Sequence, residues 1–272
     1  MTVEEIVQAA LAEDLGAGDL TTLSCVDATV EGVATIDARQ DLVVSGLEPA
    51  RLAFEARGAL FVPRVSDGQR VAPGTVIAEA RGAAQGLLEA ERVALNFLMW
   101  LSGIATHTHR VVQAAGGKMA VLDTRKTTPL HRALEKAAVV HGGGSNHRMG
   151  LYDMVLIKEN HIRAAGGVSQ AVQKARALAP EGVVVEVEVE DLEELELALN
   201  AGAELVLLDN MDDATLKAAV AACKGRAQTE ASGGMDAARI AAVADLGLDR
   251  VSVGGLIHQA RWVDLGMGLV EA

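Results

Sequence analysis

The sequence predicts an α/β protein in which buried parallel strands alternate with helices, preceded by a region of different character. Half of the 272 residues are apolar and aromatics make up only 2%. A core of small branched aliphatics suits helices packed closely on parallel strands. From Met119 onward, short apolar runs and helical stretches alternate. Polar residues recur where those runs end, at 123–126, Lys158, Glu188, Asp209, Ser232 and Gly254. Between a barrel and an open doubly wound sheet this favours the barrel, whose chemistry sits at the carboxyl ends of its strands.

The elements follow in order. Residues 3–14 repeat Val3, Ile6, Val7, Ala10 and Leu11 at helical spacing and stop at Gly16. Residues 30–80 read as short strands broken at Gly46, Gly58, Asp67-Gly68 and Pro73-Gly74. An Asp-Gly pair between alternating segments predicts a hairpin there. Residues 89–115 read as a long, largely apolar helix, broken near Gly103, that links the two halves. Beyond it the strand candidates are 120–123, 154–157, 183–189, 205–209, 227–231 and 250–253, with helices such as 192–201 and 214–222 between them.

The net charge of −13 argues against general affinity for nucleic acid, which needs clustered cations. One stretch reverses the trend. From Asp123 to Arg163 there are seven Lys and Arg against four acids, a basic island that suits a small anion. Cys25 and Cys223 are too few for a disulfide framework or a thiolate metal site. The N-terminal Met1-Thr-Val-Glu-Glu carries acids where a signal peptide carries bases, and no run reaches the roughly 18 apolar residues of a membrane span. A cytoplasmic protein without a membrane partner is the expectation.

Leu122-Asp-Thr-Arg-Lys-Thr-Thr-Pro129 sets a hydroxyl (Thr124), a guanidinium (Arg125) and an ammonium (Lys126) side by side at a strand end. Such donors suit carboxylate and phosphate together; the alternative is a solvated loop. His141-Gly-Gly-Gly-Ser-Asn-His-Arg148 offers close backbone approach to a ligand, with His147 and Arg148 as donors, or else a flexible loop. Lys158 ends an apolar run and either serves an anion or pairs with a nearby acid. Period-two alternation puts Glu186 and Glu188 on one side of a strand, and Asp209 closes the next. Inward carboxylates need cations or a metal, and neutralising the Arg/Lys set is the bland reading. Ser232-Gly233-Gly234 and Val253-Gly254-Gly255 are glycine loops between strand and helix, a recurring phosphate site when paired. His107 and His109 could suggest a metal pair but lack a third ligand.

Together these segments resemble the quinolinate phosphoribosyltransferase family across nearly the whole chain. The resemblance rests on residues 12–22, 91–98, 101–106, 123–129, 142–150, 156–161, 186–188, 208–211 and 231–234, in order. It implies an N-terminal α/β sandwich with its linking helix over 1–105, an α/β barrel of fewer than eight strands over 106–258, and a segment over 259–272 returning to the first domain. It implies transfer of phosphoribosyl from phosphoribosyl pyrophosphate to quinolinate with Mg²⁺, giving nicotinate mononucleotide, pyrophosphate and CO₂. Arg92, Arg125, Arg148 and Lys158, with Thr124 and His147, would meet quinolinate. Ser232, Gly233, Gly234, Val253, Gly254 and Gly255 would hold the 5′-phosphate, and Lys126 the departing pyrophosphate. Glu188 and Asp209 would hold ribose hydroxyls or Mg²⁺. A homodimer or a hexamer of dimers is implied, with Arg92 reaching the partner's site. A paralogous ModD-like group linked to molybdate transport and a non-catalytic anion-binding protein are the alternatives; Lys158 and the intact basic set favour the first reading. Two departures stand out: Leu130-His131 replaces the family's Gly-Leu before Arg132, and Gly255 and Ile257 replace its Ala and Thr.

Overall fold

In a computed structural model, which describes residues 1–271, the chain divides into two compact units. In chain order the first elements are α1 (Val3–Leu15), α2 (Leu20–Cys25), β1 (Glu31–Ala38), β2 (Leu42–Val43), α3 (Leu47–Ala56), β3 (Leu60–Pro63), β4 (Arg70–Val71), β5 (Val76–Ala83) and α4 (Ala84–Ala115). Next come β6 (Ala120–Leu122), α5 (Arg132–His141), β7 (Val155–Ile157), α6 (Glu159–Ala165), α7 (Val168–Leu178), β8 (Val185–Val189) and α8 (Leu192–Asn200). The last are β9 (Leu205–Asp209), α9 (Asp213–Cys223), β10 (Gln228–Ser232), α10 (Ala237–Val243), β11 (Arg250–Ser252), α11 (Gly255–His258) and β12 (Leu265–Glu271).

The first unit comprises Met1–His109, Thr128–Gly143 and the residues from Gln259 on. It is an α/β sandwich around an antiparallel sheet ordered β12-β1-β5-β3. Ala34, Ile36 and Ala38 on alternate positions of β1 are buried, and Phe54 of α3 stacks on Phe61 of β3 with ring centroids 5.6 Å apart. The Asp67-Gly68 turn does not close a hairpin: β3 pairs with β5, and β4 pairs with β2. The dipeptide fixes a local turn, while the longer-range sheet decides the pairing.

Helix α4 runs unbroken for 32 residues through Gly103. The glycine marks a crossing rather than a break, since a Cβ there would stand 2.3 Å from the Arg261 carbonyl oxygen. Two polar residues buried along the same helix clasp the end of β2: Thr106 Oγ1 accepts from the Val43 N–H at 2.9 Å, and Ser102 Oγ from the Ser45 N–H at 2.9 Å. Among the described residues no helix is long and apolar enough to cross a membrane.

The second unit comprises Arg110–Thr127 and Gly144–His258. Its six parallel strands are ordered β6-β11-β10-β9-β8-β7. The order advances without the reversal that marks a doubly wound sheet, so this is a barrel of fewer than eight strands. Leu205, Val206, Leu207 and Leu208 of β9 are all buried, as a strand covered on both faces requires. Asp191, Asp212 and Asp236 cap α8, α9 and α10 in turn by accepting from backbone N–H groups three residues on. Each cap restarts a helix soon after its strand ends, which keeps the strand-to-helix loops short. Cys25 and Cys223 are both free, and burial pushes the Cys223 thiol up to about 11.

Candidate active site

Because the six strands run parallel, the residues following each one gather at a single edge of the sheet. The cationic part is organised by Asp123, which is fully buried just past β6. Its N–H donates to the Ser145 carbonyl at 3.1 Å, and its Oδ1 accepts from the His147 N–H at 2.8 Å. One carboxylate thus ties the segment bearing Thr124, Arg125 and Lys126 to the segment bearing His147 and Arg148. The Lys126 N–H donates to Thr124 Oγ1 at 3.1 Å, and the Lys126 ammonium lies 3.0 Å from where a Cβ on Gly254 would stand. The first and last strand ends of the barrel are thereby joined, helped by the Val253 N–H donating to the Leu122 carbonyl at 2.9 Å.

Arg148 is half-buried, and its Nη1 donates to the Met154 carbonyl at 3.2 Å. Burial holds its guanidinium below the ordinary arginine value, and the neighbouring Arg125 charge depresses it further, against the pull of Asp153 and Glu186. Two guanidiniums close enough to repel make a site that an anion relieves.

The acidic part lies on the next three strand ends. Lys158 follows β7 and pairs with Glu188 of β8. Asp209 stands opposite Ser232 in the β9–β10 register and accepts from Asn210 Nδ2 at 2.7 Å. Glu190 is raised above the usual carboxylate range by desolvation and then by Glu159, Glu194, Asp209 and Glu188. This edge therefore carries concentrated negative charge. Gly233 follows β10 with φ +88, and a Cβ there would meet Asn210 Oδ1 at 2.2 Å, so both backbone and space require glycine.

Every site residue expected from the sequence lies in the second unit except Arg92, which is exposed on α4 in the first. His147 faces inward: its Nδ1 accepts from the Arg148 N–H at 2.7 Å and its Nε2 lies 3.1 Å from Glu186 Oε2. The triple glycine serves packing at its first position, where a Cβ on Gly142 would meet the Ala105 carbonyl oxygen at 2.4 Å. Among the described residues His147, Glu186 and Glu230 bring three ligand-type atoms within 4.8 Å of one another; His107 and His109 belong to no such group. Sequence reasoning passed over Glu230. The same alternation that pairs Glu186 with Glu188 pairs Glu230 with Ser232, and it would have pointed there.

Comparison with known proteins agrees with this geometry. The family model described as quinolinate phosphoribosyl transferase, C-terminal domain, matches residues 104–268, and that of the N-terminal domain matches residues 19–102. A probable nicotinate-nucleotide pyrophosphorylase [carboxylating] of Synechocystis sp. is 40% identical, covering 99% of this chain and 93% of the relative. The nicotinate-nucleotide pyrophosphorylase [carboxylating] of Mycobacterium leprae is 42% identical, covering 97% of this chain and 96% of its own. The solved nicotinate-nucleotide pyrophosphorylase of Francisella tularensis superposes with a TM-score of 0.95 at 39% identity, covering 98% of this chain and 96% of that one. With both halves matched, and a barrel edge that gathers cations and carboxylates for a charged substrate, the chain belongs to the quinolinate phosphoribosyl transferase family.

Proposed function

We propose that this chain transfers phosphoribosyl from phosphoribosyl pyrophosphate to quinolinate and decarboxylates the product, yielding nicotinate mononucleotide, pyrophosphate and CO₂ for NAD biosynthesis, in the cytoplasm. The observation that carries the reading is that buried Asp123 ties the segment bearing Arg125 to the segment bearing Arg148 at a strand-end edge that also bears Glu188 and Asp209.

Quinolinate carries two carboxylates, and Arg125, Arg148 and Lys158 supply charge-assisted hydrogen bonds to them, with Thr124 adding a hydroxyl. Arg92 completes the set from a partner subunit in a homodimer or hexamer of dimers. Ser232, Gly233 and Gly234, with Val253, Gly254 and Gly255, take the 5′-phosphate, and Lys126 lies against Gly254 where it offsets charge on the leaving pyrophosphate. Lys158 pairs with Glu188, which holds its ammonium at the strand-end edge. The donor chemistry of Glu188 and Asp209 is carboxylate oxygen, which fits Mg²⁺. Glu188 and Asp209 would hold the ion, which would supply positive charge to offset that of the leaving pyrophosphate.

In the first step the bond from ribose C1′ to the pyrophosphate oxygen breaks and the quinolinate ring nitrogen bonds to C1′. The transition state is oxocarbenium-like, so positioning and electrostatics by these side chains outweigh covalent catalysis. As CO₂ departs, its bonding pair stays on the adjacent ring carbon, stabilised by the positive charge of the quaternised nitrogen, and a proton from water then adds to that carbon to give nicotinate mononucleotide.

The test is product formation from phosphoribosyl pyrophosphate and Mg²⁺ with quinolinate or nicotinate. Nicotinate leaves part of the cation set desolvated and unpaired, so its kcat/KM is expected to be lower by about 10⁴-fold or more. Comparable values for the two acids would mean that the cations serve the pyrophosphate alone. No turnover of either would leave a non-catalytic anion-binding protein.

A further inference from the structure

We propose that the buried carboxyl groups of Glu186 and Glu230 act together, through the His147 ring, as positioning residues for Arg148. The inference rests on the quinolinate reading above and deepens it, since it names what holds one of the proposed carboxylate-binding groups in place.

Glu186 on β8 and Glu230 on β10 are both fully buried and sit on either side of β9. His147 Nε2 lies 3.1 Å from Glu186 Oε2 and 3.6 Å from Glu230 Oε1. The other ring nitrogen is already committed, because Nδ1 accepts from the Arg148 N–H at 2.7 Å. A nitrogen that accepts presents its lone pair, so the ring turns its other nitrogen, Nε2, toward Glu186. The ring thereby transmits the position of the carboxyl pair to the Arg148 backbone. Asp123 holds the His147 N–H at 2.8 Å from the other side, so the peptide between His147 and Arg148 is fixed at both of its flanking N–H groups.

The ligand-type atoms of Glu186, Glu230 and His147 all lie within 4.8 Å of one another, and two buried carboxyl groups this close cannot both ionise at little cost. Burial and then the Glu186 charge push the Glu230 carboxyl up to about 7, against the pull of His147 and Arg250. Glu186 Oε1 and both Glu230 oxygens have no hydrogen-bond partner in the protein. Glu186 Oε2 holds His147 Nε2 directly, and Glu230 backs that contact from 3.6 Å.

Steady-state kinetics on Glu186→Ala, Glu230→Ala, Glu186→Gln and Glu230→Gln tests this, with thermal unfolding and metal content measured on the same samples. The alanine variants are expected to raise the quinolinate KM by about tenfold or more, as loosened positioning does, while leaving the phosphoribosyl pyrophosphate KM within about twofold. Glu230→Gln mimics the protonated acid and is expected to keep the wild-type quinolinate KM. It should also flatten the pH dependence of stability. A carboxyl raised when folded binds its proton more tightly than in the unfolded chain, so its contribution is present at low pH and is lost as pH rises from about 4.5 to about 7. If the alanine variants do not fold, the glutamine pair decides: Glu186→Gln raising the quinolinate KM while Glu230→Gln does not supports the proposal. An unchanged quinolinate KM in folded Glu186 variants overturns it. So does an equal rise for both substrates, or a stoichiometric metal in the wild type that Glu230→Gln loses. A wild type that never turns over quinolinate would sink the functional reading itself.

Discussion

Leu130 stands where the resemblance implies a glycine, and its φ is +70, in the left-handed region that favours glycine. A side chain there costs about 1–2 kcal/mol in backbone strain. The Leu130 side chain is mostly exposed, so it recovers little by burial. Restoring glycine removes the strain but widens the unfolded ensemble, which returns about 0.5–1 kcal/mol. The balance favours Leu130→Gly by about 0.5–1 kcal/mol. Urea unfolding at pH 7 is expected to shift to a higher midpoint; an unchanged or lower one would show that the leucine makes compensating contacts. What the departure does not disturb is the loop's anchor: the Thr128 N–H and hydroxyl donate to buried Glu135 at 2.8 and 2.7 Å. Residue identity alone could flag the substitution, but not the left-handed backbone at Leu130.

At the scale of elements, the strands after Met119 were legible because each is a short apolar run ended by polar residues. All six strand candidates are present, with ends shifted by at most two residues. The strand ends therefore also revealed the cations and carboxylates of the site. What was not legible was set by distant partners. Asp67-Gly68 specifies a turn but not which strand pairs with which, and Gly103 lowers helix propensity by only about 1 kcal/mol, too little to break a long packed helix. Alternation with Ser232 could have flagged Glu230, but its meaning lies in His147 and Glu186, which are far away in sequence. The role of Gly103 also fixes the sign of a test. In an exposed helix Gly→Ala stabilises by about 1 kcal/mol. Here the new Cβ would stand 2.3 Å from the Arg261 carbonyl oxygen and 3.1 Å from Trp262 Cα, and backbone cannot swing aside as a flexible side chain would. Overpacking of this kind costs about 1–3 kcal/mol beyond the propensity gain. Gly103→Ala is thus expected to lower the unfolding midpoint in urea, and a rise would mean the crossing has slack.

At the scale of the whole molecule, the proposed sharing of Arg92 between subunits would make assembly part of catalysis. Arg92 is exposed on α4 between residues whose side chains are buried or partly so, as a residue serving a neighbour would be. In a symmetric dimer each subunit would give its Arg92 to the partner and keep its own Lys158. Arg92→Ala and Lys158→Ala homodimers should then both be nearly inactive, because every site lacks one member. In a hybrid, the subunit carrying Arg92→Ala retains Lys158 and receives Arg92 from its partner, so one of the two sites is complete; the other lacks both. Random pairing of equal amounts makes about half the dimers hybrid, which restores about a quarter of wild-type activity. Co-expressing the two variants with different affinity tags and purifying through both isolates the hybrids, raising the expected activity to about half. If Arg92 instead serves its own subunit, the hybrid has no complete site and stays inactive. Doubly tagged dimers without activity would therefore place Arg92 in its own subunit's site, and failure to recover any doubly tagged species would show that the chain works as a monomer.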